Sequence, residues 1–145
     1  MNLLKEEIKD LDFILSLIPH KNPFVMVDKL LYFSEKKIVS GFNIPSENIL
    51  VNSTNFSAPG LIENMAQTVA LHTGYVYYLK QLPAPTGYIG AIKKAEVYKL
   101  PTVHQNLVTT VDILHDILGV TLVEVKVVCN EQVIAYSEMK TALAI

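Results

Sequence analysis

The sequence predicts an α+β domain, one long helix wrapped by an antiparallel sheet of about five to seven strands. Three observations lead there. Residues 58–79 form an apolar run with helical periodicity on more than one face, the mark of a helix surrounded by protein. The second half of the chain is a succession of strand-patterned segments separated by turn residues. With 145 residues, half of them apolar, and a mean hydropathy of +0.32, the chain can build one substantial core. A lone apolar helix needs cover, and a sheet is the only element available to supply it. We therefore expect residues 1–145 to form a single domain, with part of its apolar surface hidden in an oligomer.

Taken in order, Ile8, Leu11, Ile14, Leu15 and Leu17-Ile18 recur at helical spacing, so a short amphipathic helix opens the chain until Pro19 and Pro23 stop it. Phe24 to Phe33 reads as a strand, Ser34-Glu35-Lys36 as a turn, and Lys37 to Ile44 as the hairpin partner. Residues 45–57 are polar and read as a loop. Ser57 is a good N-cap and Pro59 falls in the first turn, where a missing N–H does no harm. The helix they start runs to about Lys80, before Pro83-Ala-Pro85. Gly87 to Tyr98 reads as one long strand and Leu107 to Leu118 as the next. Leu122 to Val128 follows, alternating Glu124 and Lys126 against Val123, Val125 and Val127. Asn130-Glu131 then turns the chain into a last strand from Val133 to Ile145.

Composition narrows the function classes. All twelve basic residues are lysines and the net charge is −2, so there are no guanidinium forks for phosphates or bases, and nucleic acid is not an expected partner. Cys129 is alone, which leaves no disulfide framework and no thiolate metal site. The N-terminal residues alternate charged and apolar and lack a signal-peptide core. Glu63, Asn64, Gln67 and His72 make residues 58–79 too polar for lipid. These features point to a cytoplasmic protein off the membrane. No Gly-rich phosphate loop, serine elbow or metal-ligand spacing is present, so no cofactor and no metal are expected.

Glu63, a carboxylate one turn into an apolar helix, is the candidate functional residue. An ionised carboxylate is expensive to bury unless paired, and Gln67 lies one turn on along the same face, able to hold it. A carboxyl with a positioning amide suits general acid–base work. The structural alternative is an acid favoured near a helix N-terminus. Among the histidines, His20 is either a second polar group of such a site or the cap of the turn after the first helix. His72 lies half a helical turn out of phase with Glu63 and about 13 Å along the axis, so it reads as a core histidine bonded to backbone. His104 and His115 fall at strand ends and read as solvated.

Two motifs carry a resemblance to a known family. Leu17-Ile-Pro-His-Lys-Asn-Pro-Phe-Val-Met-Val-Asp28 is similar to the Leu-Pro-His-Arg-x-Pro-Phe-Leu-Leu-Val-Asp of the hotdog-fold 3-hydroxyacyl-[acyl-carrier-protein] dehydratases. Ile62-Glu-Asn-Met-Ala-Gln67 is similar to their Leu-Glu-Ala-Met-Ala-Gln. Gly90 and Tyr98-Lys-Leu-Pro101 resemble the family's third strand, and the matching segments run in order along most of the chain. The family's catalytic histidine sits in a Gly-His-Phe-Pro-Gly loop ahead of the acid. Here that loop is shorter, and Ile49 to Asn55 contain no histidine. The short loop and the Pro-Gly-Leu-Ile-Glu approach resemble more closely the dehydratase-like proteins of aryl-polyene and related pigment pathways.

The resemblance implies a hotdog fold and a dimer joined edge to edge, with an acyl tunnel along the seam. It implies loss of water from 3-hydroxyacyl thioesters delivered by an acyl carrier protein, in fatty-acid-like or polyene synthesis. Its catalytic acid falls on Glu63 and its supporting glutamine on Gln67, while Ile18, Pro19 and His20 fall on tunnel-lining positions. On this reading Glu63 serves the departing hydroxyl. His20, from the partner protomer, takes the C2 proton, and the helix start at Gly60 and Leu61 steadies the enolate-like oxygen. Two alternatives remain. One is a non-catalytic hotdog subunit in a hetero-oligomer with an active dehydratase; the other is a hotdog acyl thioesterase in which Glu63 activates water.

Overall fold

A computed structural model of the chain describes residues 1–143. The elements in chain order are α1 (Leu11–Leu17), β1 (Lys29–Ser34), β2 (Lys37–Asn43), β3 (Val51–Asn52), β4 (Asn55–Phe56), α2 (Ala58–Leu79), β5 (Gly87–Val97), β6 (Asn106–Ile117), β7 (Val120–Cys129) and β8 (Gln132–Leu143). Six strands form one antiparallel sheet in the order β1-β2-β6-β7-β8-β5, and β3 pairs with β4 separately. The sheet wraps α2, which is the hotdog arrangement. The last residues of the expected final strand, Ala144 and Ile145, lie outside the described residues.

The core forms between α2 and the inner face of the sheet, where Leu61, Met65 and Leu71 meet Val111, Val123, Val125 and Met139. Asn130 and Glu131 both adopt left-handed backbone (φ 51° and 63°), the geometry that closes a tight hairpin between β7 and β8. Leu118 and Gly119 do the same between β6 and β7 (φ 53° and 78°), so the expected strand stops at Ile117 and Leu118 becomes turn.

Other local expectations change as well. The first helix begins at Leu11, capped by the Asp10 carboxylate, because Ile8 is drawn away to pair with Leu30 of β1. The polar loop of residues 45–57 carries the small β3–β4 hairpin, turned at Ser53 with φ 62°. The strand expected from Phe24 begins only at Lys29. In its place residues 24–27 run along α2 outside any regular strand, and side-chain amides supply the bonds that a neighbouring strand would give. The Met26 N–H donates to Gln67 Oε1 (2.6 Å), Gln67 Nε2 donates to the Phe24 carbonyl (2.8 Å), and Asn64 Nδ2 donates to the Met26 carbonyl (2.7 Å). A further change, at Glu63, belongs to the site.

The buried polar groups of α2 are thus accounted for. Thr68 donates to the Asn64 carbonyl (2.8 Å) and so must accept from Ser40 of β2 (2.7 Å). Thr109 of β6 donates to Asn64 Oδ1 (2.6 Å). Asn64 therefore ties helix, sheet and the Phe24–Val27 segment together at one fully buried point. Asn64→Ala strands the Met26 carbonyl and the Thr109 hydroxyl in a dry interior, and the expected loss is about 3 kcal/mol. A lowered urea midpoint with an unchanged slope is the measurement.

His72 is 8% exposed and its Nε2 bonds the Ser34 carbonyl at 2.9 Å, so it is a core histidine held to backbone. His104 and His115 are exposed. Among the described residues, no helix is long and apolar enough to cross a membrane.

Candidate active site

Helical phase puts Glu63, Ala66, Ala70 and Thr73 on one face of α2. The small alanines leave room beside the helix, and a cavity of about 600 Å³ occupies it. The chain leaving α1, Leu17 to His20, forms a second wall. The Pro83–Thr86 segment and the first residues of β5 form a third, and Thr141 and Leu143 of β8 complete it. α1 and α2 come close enough to frame this space because Gly74 has no side chain; a Cβ there would overlap the Leu17 carbonyl oxygen.

Glu63 and His20 both open on this cavity, together with Ile18 and Pro19. Glu63 is half-buried on α2 rather than enclosed, a correction to the fully buried carboxylate the sequence implied. The reason is that its helix face borders the cavity instead of the sheet. Gln67 does not line the cavity. It stands behind Glu63, its amide fixed by the Phe24 and Met26 backbone, and its remaining N–H points to Glu63 Oε1 at 3.4 Å. The carboxylate is thereby oriented by a side chain that cannot itself rotate.

His20 is half-buried, and its Nδ1 is buried without a hydrogen-bond partner. Burial pushes its pKa below the ordinary 6.5, while the Glu63 charge pulls in the opposite direction and loses. The lowered pKa favours the neutral imidazole at pH 7. His20 and Glu63 of one chain border the same cavity, near enough for the carboxylate charge to act on the imidazole.

Gly60 and Leu61 are not brought to the cavity. Both are fully buried, and a Cβ on Gly60 would come within 2.6 Å of the Phe56 ring, so that glycine serves packing. Their N–H groups are already engaged: Gly60 donates to Ser57 Oγ (3.4 Å) and Leu61 to the Ser57 carbonyl (3.1 Å). The helix start is closed by its own cap and offers those two donors to nothing else. Two participants escaped the sequence reading. Thr73 was legible, being in phase with Glu63; Asn64 was visible only as one more polar residue in an apolar helix. Among the described residues, no group of three or more His, Cys, Asp or Glu is placed to hold a metal ion.

Comparison with known proteins adds family context. The family model described as ApeP-like, ApeP dehydratase, matches residues 13–142. The chain is 29% identical over 143 residues to the 3-hydroxyacyl-[acyl-carrier-protein] dehydratase FabZ of Aliivibrio fischeri, covering 89% of each chain. The FabZ of Clostridium botulinum is 30% identical over 104 residues, 65% of this chain and 67% of that one. Among solved structures, the dehydratase heterocomplex ApeI:P from Xenorhabdus doucetiae contains a chain that superposes with a TM-score of 0.84 at 14% identity, covering 91% of both. A hypothetical thioesterase with coenzyme A from Streptococcus pneumoniae has the same fold at TM-score 0.66 and 12% identity, over 94% of this chain and 95% of that one.

Proposed function

The chain belongs to the ApeP-like dehydratase family, and from that premise we propose that it removes water from 3-hydroxyacyl thioesters held on an acyl carrier protein, using Glu63 and His20. The observation that carries the reading is that an imidazole whose burial favours its neutral form and an oriented carboxyl border one mainly apolar cavity. The acyl chain lies along Ala66 and Ala70, with C2 toward His20 and the C3 hydroxyl toward Glu63. His20 takes the C2 proton through Nε2, the ring nitrogen that is not buried. The C2–H electrons pass through the enolate-like thioester to form the C2–C3 double bond as the C3–O bond breaks. Glu63, entering the step as the carboxylic acid, supplies the proton that lets the hydroxyl leave as water. The products of that step are an imidazolium and a carboxylate side by side. The Glu63 charge steadies the imidazolium, and passing its proton back to Glu63 restores the starting state.

The same reading takes the substrate from fatty-acid-like or polyene pigment synthesis and places the protein in an oligomer. That oligomer is a homodimer or, as the Xenorhabdus doucetiae heterocomplex indicates by analogy, a pair with a second hotdog subunit. Exposed Lys21, next to His20, is a ready contact for an acidic carrier.

The test is to follow enoyl formation from a 3-hydroxyacyl carrier protein with the purified chain alone. His20→Gln should lower the rate by about 10²-fold or more while the protein stays folded. Because burial depresses the His20 pKa, the base form is lost only below pH 6.5. The wild-type rate should be level at neutral pH and fall on the acid side of that value, and the fall should disappear in His20→Gln. Enoyl formation that appears only with a second hotdog subunit and ignores His20→Gln assigns the chain a partner role. Release of free acid without enoyl product assigns it thioesterase chemistry.

A further inference from the structure

The wall facing α2 runs along it in the opposite direction. Phe13 packs on Tyr78 (centroids 4.9 Å), Leu17 meets Gly74, and the Phe24 and Met26 backbone bonds Gln67. His20 falls between the last two of these points, opposite the middle of the helix. On the cavity face of α2 the residues beyond Glu63 are Ala66, Ala70 and Thr73, which stand about 5, 10 and 15 Å further along the axis. Ala66 and Ala70 each carry a single methyl, and both are partly exposed where the helix borders the cavity. At the next turn the two helices touch. A Cβ on Gly74 would overlap the Leu17 carbonyl oxygen, so nothing passes between them there. The space beside α2 is thus open at the two alanines and shut between the helices at Gly74.

We propose that Ala70 is a specificity-determining residue that sets how long an acyl chain the cavity accepts. This rests on the reading of the cavity as the site for an acyl thioester. With C2 and C3 held between His20 and Glu63, the remaining carbons extend along the alanine face toward the Leu17–Gly74 contact. Chains that stop short of Ala70 never meet it. Longer ones lie across its methyl, and any larger side chain there occupies the volume they need. Ala66 stands nearer the reacting carbons, so the same argument makes it govern shorter chains. Each methylene that reaches apolar wall adds about fourfold in affinity, and one that finds no room adds nothing. Length preference therefore follows the order of positions along one helix face.

The experiment measures binding of saturated acyl pantetheines of four to twelve carbons by calorimetry. Enoyl formation from the matching 3-hydroxyacyl carrier proteins is followed alongside. Parent affinity should climb with chain length and then level off. In Ala70→Leu the levelling should come at a shorter chain, and the longest chains should bind about 10-fold more weakly than to the parent. In Ala66→Leu it should come shorter still, and the ratio of long-chain to short-chain turnover should fall in the same order. Circular dichroism checks folding, and the smaller Ala70→Val keeps the test where leucine does not fold. Folded variants that weaken all lengths equally, or that bind the longest chains as the parent does, overturn the proposal. So does failure of both Ala70 variants to fold, because the volume beside Ala70 is then not free, and so does a parent that binds none of the chains. A parent that shows the length dependence but forms no enoyl product refutes the dehydratase reading and leaves the role of Ala70 standing.

Discussion

Glu63→Gln should abolish measurable dehydration, a loss of about 10²–10⁴-fold, while leaving the fold unchanged. The amide has the shape of the carboxyl and can still accept from Gln67 Nε2, so the geometry behind it survives. What it cannot do is give a proton to the departing hydroxyl or receive one back from His20. Enoyl formation measured beside a thermal melt separates the two effects. A variant that melts higher yet is inactive fits a site that holds an uncompensated group for chemistry. A variant that melts higher and turns over at the parent rate would show that the carboxylate serves only the helix.

Gly74→Ala should lower stability and activity together. Alanine is intrinsically better in a helix by about 1 kcal/mol. Here its methyl meets the Leu17 carbonyl oxygen, a backbone atom that moves only if α1 moves. Overpacking of that kind costs about 3 kcal/mol, so the net loss is about 2 kcal/mol, read as a lower urea midpoint. The displacement should also be visible in activity. α1 is held to α2 partly by the edge-to-face contact of Phe13 with Tyr78 (centroids 4.9 Å), and the chain leaving α1 carries Ile18, Pro19 and His20 into the cavity. Activity should therefore fall in the folded fraction too, whereas Asn64→Ala should act mainly on stability.

Burial of His20 and His72 also makes acid destabilising. Both have pKa values lowered by burial, so the unfolded chain binds protons more readily just below pH 6.5. Stability is complete above that value and declines as pH falls from it toward the lower folded values.

The sequence by itself determined the long helix, bounded by Ser57 and by the residues before Pro83, because capping and 3.6-residue periodicity are local. It determined the four strands after that helix and the Asn130-Glu131 turn for the same reason, and it placed Glu63 and Gln67 on one face. Tertiary structure decided what lay between distant segments. Phe24 to Val27 has strand composition, but its partners are the amides of Asn64 and Gln67, which no local pattern reveals. Ile8 fits a helical repeat, yet pairing with Leu30 satisfies its backbone and removes it from α1. Gly60 looked like part of an oxyanion site until packing put the Phe56 ring against it. His20 and Glu63 share one cavity because Gly74 lets α1 press against α2. Periodicity reports which face of an element is apolar; the identity of what covers that face depends on contacts between residues far apart in the chain.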